Sequence, residues 1–141
     1  MNEDVDGIPR APMQRTHGCL VVSLQGDLRD AVLQQFQKDL LEHTRLLQPT
    51  GIILDISGLT LFDSHEFAAL RRAMDMARLM GCSTVLVGMQ PGLAASIAEI
   101  DVNCDELLTA RSLEEAFVLI DRTRTTPPLT GGDAWRRASI E

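Results

Sequence analysis

The chain has 141 residues, a formal net charge of −7 at pH 7, one Trp, four Phe and no Tyr. A chain of this length most economically folds as one domain around one core, which here must come from Leu, Ile, Val, Ala and Met. The acidic balance opposes phosphate backbones and few rings are available for base stacking, so nucleic acid is not expected as a partner.

Three widely spaced cysteines, Cys19, Cys82 and Cys104, form no C-x-x-C pair, and His17, His43 and His65 have no ligand-like spacing. Buried free thiols in a reducing compartment are expected, with no metal site and no cofactor. The start, "MNEDVDGIPRAPM", is acidic and has no apolar segment of the secretory kind. No apolar run approaches the length of a membrane span. A soluble, cytoplasmic protein without a membrane partner is the expectation.

In chain order, residues 1–13 read as a polar lead-in or an edge strand, 14–124 as the folded domain, and 125–141 as a flexible tail. "CLVVSLQGDL" suggests a strand closed by a turn at Gly26-Asp27. From Asp30 to about Gln48 the period becomes helical, with Val32, Phe36, Leu40, His43 and Leu47 on one face and Pro49 as the stop. "GIILDIS" and "STVLVG" are continuous apolar runs, as in strands covered on both sides. Between them a helix is predicted from Ser64 to Met80, ending at Gly81. "QPGLAASIAEI" reads as a short helix with Pro91 in its first turn and Leu93, Ile97 and Ile100 on one face. "DELLTA" is a candidate last strand and "SLEEAFVLIDRTR" a last helix, with Ser112 and Glu115 at capping-box spacing. In the tail, "RRAS" ending at Ser139 matches a basic-directed kinase site, but so short a match is common by chance. The alternation predicts an α/β protein with a mixed, largely parallel sheet of four to five strands packed with about four helices.

The junction "LDISGLTLFDSHEF" holds the candidate site. Asp63 with Glu66 three residues on fits a capping box, which leaves the hydroxyl of Ser64 spare in the first turn. Phe67, Leu70, Met74 and Ala77 form the apolar stripe, whereas Ser64 shares a row with Ala68, Arg71, Asp75 and Arg78. That hydroxyl should face solvent or a partner. A phosphate there would add roughly −1.5 to −2 charges. Helix amides would favour it by roughly 0.3–1 kcal/mol. Neighbouring carboxylates at Asp63, Glu66 and Asp55 would each oppose it by about 1–2 kcal/mol per unit charge. The domain should therefore survive the modification, while a partner covering Ser64 would not.

The ordered elements "LDIS…DS" and "VLVGMQP", with "SLQGDL" upstream, resemble the STAS domain of bacterial anti-sigma-factor antagonists over about residues 8–124. The likeness is greatest to the short stressosome subunits that have no N-terminal sensor domain. The resemblance implies that Ser64 is phosphorylated by a serine/threonine kinase of the ATPase-fold type and dephosphorylated by a PP2C-type phosphatase. It implies that related STAS subunits assemble together and hold the kinase until Ser64 is modified. Asp63, His65, Ala68 and Arg71 then form the expected partner-docking patch. His65 and Glu66 are more polar than the residues often found after the acceptor. Val87 replaces a threonine found in many relatives, which excludes a second phosphosite there.

Three other readings have less support. Ser64 beside His65 lacks the geometry of a nucleophile and base, and no G-x-S-x-G elbow is present. An acidic receiver-type pocket from Asp27, Asp30 and Asp55 would want a lysine at a late strand end, but the sole lysine is Lys38, so these aspartates read as turn and cap residues. No glycine loop able to cradle a nucleotide is present. The expectation is a non-catalytic switch protein, the alternative being a stand-alone antagonist that binds an anti-sigma kinase and so releases a sigma factor.

Overall fold

The apolar run at Gly51–Gly58 forms β3, the middle strand of a five-stranded sheet of order β1-β2-β3-β4-β5. The computed structural model describes residues 10–59, 63–99 and 107–125. The other strands are β1 (Met13–Thr16), β2 (Cys19–Gln25), β4 (Ser83–Val87) and β5 (Thr109–Ala110), joined by helices α1 (Asp30–Leu47), α2 (Ser64–Leu79), α3 (Pro91–Glu99) and α4 (Leu113–Thr125). β2, β3, β4 and β5 run parallel, and β1 is an antiparallel edge.

Each parallel strand is laid beside the previous one in a single direction. Right-handed crossovers then place every intervening helix on the same face. The core agrees: Leu20, Ile52, Leu54 and Leu86 of the sheet meet Phe36 of α1, Phe67 of α2 and Leu93 of α3 in one cluster. The alternate strand positions, Val21, Ile53 and Val85, point the other way and meet Ala116 and Ile120 of α4. This two-sided burial explains why β3 and β4 read as continuous rather than alternating apolar runs. Gly51 permits the close approach of α4, since a Cβ there would lie 2.7 Å from Cδ1 of Ile120.

Several boundaries differ from those the sequence suggests. The edge strand covers Met13–Thr16, because His17 (φ 54°) and Gly18 (φ 78°) make a two-residue turn into β2. Positive φ at both positions is the turn type that matches strand twist in hairpins. On α1 the buried face uses Leu33 and Thr44 rather than His43. The half-buried His43 instead places Nδ1 2.8 Å from the carbonyl oxygen of Asp39. β5 is only two residues long, and Leu107 and Leu108 precede it outside the strand. Cys19 and Cys82 are buried free thiols, and burial raises the pKa of Cys82. Ile100, Cys104, Trp135 and Ser139 lie outside the described residues.

Candidate functional site

The β3–α2 connection lies at the carboxyl end of the parallel strands. Asp55, half-buried near the end of β3, accepts through Oδ1 hydrogen bonds from the Ser57 amide at 3.0 Å and the Ser57 hydroxyl at 2.7 Å. Leu59 is buried. Asp63 caps α2 through a complete capping box: its Oδ1 accepts from the Glu66 amide at 2.7 Å, and Glu66 Oε1 accepts from the Asp63 amide at 2.9 Å. The start of α2 is thus fixed by two side chains close in sequence, as the D-x-x-E spacing requires.

Ser64 is the first residue of the helix and is exposed. Its hydroxyl takes no part in the capping box. Among the described residues it makes no side-chain hydrogen bond, in contrast to the Ser57 hydroxyl. Ala68, one turn further, is exposed as well. Arg71 is half-buried and lies 3.5 Å from Asp75, whose Oδ1 is also 3.7 Å from Arg78. The row Ser64, Ala68, Arg71, Asp75 and Arg78 therefore forms one flank of α2, a small-residue gap followed by a lattice of paired charges.

His65 departs from that row. Its Nε2 is 2.9 Å from Oδ1 of Asp30 at the start of α1. Asp30 is accordingly not the cap of α1; Arg29 holds that position and makes no side-chain cap bond. Below the pair, Gln37 Nε2 donates to the Ala69 carbonyl at 3.2 Å. A shallow groove of about 160 Å³ runs between the two helices, lined by Asp30, Leu33, Gln34, Gln37, His65, Ala69 and Arg72. The α1 contribution to the site is invisible in the local spacing of the sequence, because the two halves are 35 residues apart.

Among the described residues no group of three or more His, Cys, Asp or Glu is arranged to hold a metal ion. No described helix is long and apolar enough to cross a membrane. Gly88, with φ 85°, serves packing: a Cβ there would come within 2.7 Å of Ser57 Cβ and 3.0 Å of its backbone.

The fold is that of a known family. The chain belongs to the STAS domain family, whose profile matches residues 10–116. Within the family it resembles the anti-sigma-factor antagonists of the RsbS kind. The RsbT co-antagonist protein RsbRD of Bacillus subtilis (strain 168) is 24% identical over 105 residues, which is 74% of this chain and 38% of that protein. The chain thus spans little more than a third of the length of that relative. A substituted RsbS from Moorella thermoacetica superposes with a TM-score of 0.71 at 24% identity, covering 81% of this chain and 97% of that one. A chain of the stressosome, a signal integration and transduction hub, gives a TM-score of 0.71 at 25% identity, covering 81% and 99%. The unphosphorylated antagonist SpoIIAA shares the fold at a TM-score of 0.59 and 18% identity, covering 82% and 98%.

Proposed function

We propose that this protein is a non-catalytic, phosphorylation-switched scaffold of a bacterial stress-signalling pathway of the stressosome type. In its unmodified form it holds a serine/threonine kinase of the switch type against the α2 surface. Phosphorylation of Ser64 releases that kinase, and a PP2C-type phosphatase resets the switch. The chain assembles with itself and with related STAS subunits in the cytoplasm.

The observation that carries this reading is the state of the Ser64 hydroxyl, exposed at the first position of α2 and left spare by the Asp63–Glu66 capping box. Helix amides offset part of the repulsion between a phosphate and the two nearby carboxylates, so the domain tolerates the group. A protein seated on Ser64, Ala68 and Arg71 meets its bulk, charge and desolvation together. Asp63 contributes to docking by fixing the helix start, and His65 by joining it to α1.

Incubation of the purified chain with its switch kinase and ATP tests the proposal. Expected are about one phosphate per chain, none on Ser64→Ala, and loss of the kinase complex as phosphate accumulates. A complex that persists on the fully phosphorylated chain contradicts it. Light scattering of the chain with and without partners separates an assembling subunit from a stand-alone antagonist, which stays monomeric.

A further inference from the structure

His65 connects the switch residue to a second helix. It follows Ser64 directly in the first turn of α2, and its Nε2 lies 2.9 Å from Asp30 Oδ1 in the first turn of α1. Both side chains are largely exposed, at 71% and 75%. An exposed pair of this kind is easily exchanged for another partner. Leu28, Val32 and Leu33 anchor the inner side of this turn in the core, but its exposed end has no side-chain cap: Arg29 occupies the cap position without a side-chain cap bond, and the first backbone bond there runs from the Leu33 amide to the Arg29 carbonyl at 2.9 Å. The start of α2, by contrast, is held by both reciprocal bonds of its capping box, neither of which involves His65.

We propose that His65 carries the state of Ser64 to α1. In the unmodified protein the imidazole bonds Asp30 and steadies the uncapped first turn of α1. A phosphate on Ser64 brings up to twice the charge of a carboxylate and three acceptor oxygens one residue away, and it draws the imidazole from Asp30. The first turn of α1 then frays, and the groove between Asp30, Gln34, His65 and Arg72 loses its shape. The switch thereby alters a surface on two helices rather than one. This inference rests on the proposed role of Ser64 as phosphoacceptor, but the effect itself needs no kinase.

The test uses the full chain with phosphoserine installed at position 64 during synthesis, compared with the unmodified chain by NMR hydrogen exchange. The expected result is at least roughly fivefold faster exchange of the Leu33 amide on phosphorylation, with the Ala73 and Ala77 amides further along α2 unchanged. The His65 ring nitrogen signals should shift at the same time. In His65→Ala and in Asp30→Asn, Leu33 should already exchange fast and phosphate should add nothing. Unchanged Leu33 exchange on phosphorylation of the native sequence, or phosphorylation accelerating Leu33 exchange in His65→Ala as much as in the native sequence, overturns the inference. Either result leaves kinase capture and release by Ser64 to be judged by its own experiment.

Discussion

The imidazole of His65 and the carboxylate of Asp30 meet at 2.9 Å across 35 positions of sequence, joining the first turns of α2 and α1. The contact is open to water, so its contribution to global stability is small. Replacing Asp30 by Asn should lower the unfolding free energy by less than about 1 kcal/mol, and the difference should shrink further in high salt. Urea unfolding at low and high ionic strength measures both. A loss that is larger and unaffected by salt would mean that the pair is shielded from solvent.

Asp63 is predicted to matter more. In Asp63→Ala the Glu66 amide loses its acceptor at 2.7 Å and α2 loses its cap. The expected cost is about 1 kcal/mol, seen as a lower denaturation midpoint with an unchanged slope. Unaltered stability would show that the cap is redundant.

Gly51 tests the packing of α4. An added Cβ would lie 2.7 Å from both Cδ1 and Cγ2 of Ile120. Gly51→Ala should destabilise by about 1–3 kcal/mol through overpacking. Combined with Ile120→Val, which removes Cδ1, it should cost less than the two single losses added. Strict additivity would show that α4 moves away without strain.

Thr84 is a buried polar residue on β4, and among the described residues its hydroxyl has no hydrogen-bond partner. Thr84→Val removes an unmet polar group while keeping the branched shape. It should stabilise the protein by about 1 kcal/mol, read from thermal or chemical unfolding. A destabilised variant would reveal a bound water satisfying the hydroxyl.

Features set by neighbours in sequence were legible before the structure. The Asp63–Glu66 box, the helix from Ser64 and the row through Ala68 and Arg71 follow from spacing alone, since i, i+3 and i, i+4 positions share a helix face. The parallel sheet followed from alternating elements and two-sided apolar runs. The His65–Asp30 pair did not, because nothing local brings α1 beside α2 in that register. His43 also illustrates the limit. Helical spacing with Val32, Phe36, Leu40 and Leu47 put it on the inner face of α1, yet the buried position belongs to Thr44, whose hydroxyl is satisfied by the Leu40 carbonyl at 2.6 Å. A hydroxyl that bonds its own helix costs little to bury, which a hydrophobicity pattern cannot register.

Switching through the α2 surface depends most on where phosphate is attached. Trypsin should release residues 46–71 as one peptide, which contains the hydroxyls of Thr50, Ser57, Thr60 and Ser64. Fragment-ion mass spectrometry of that peptide, from protein purified out of its native cells, distinguishes these four positions. The predicted result is a phosphorylated fraction carried by Ser64, absent when Ser64→Ala replaces the native chain. Phosphate on Ser57 or Thr60 with Ser64 always unmodified would contradict the account.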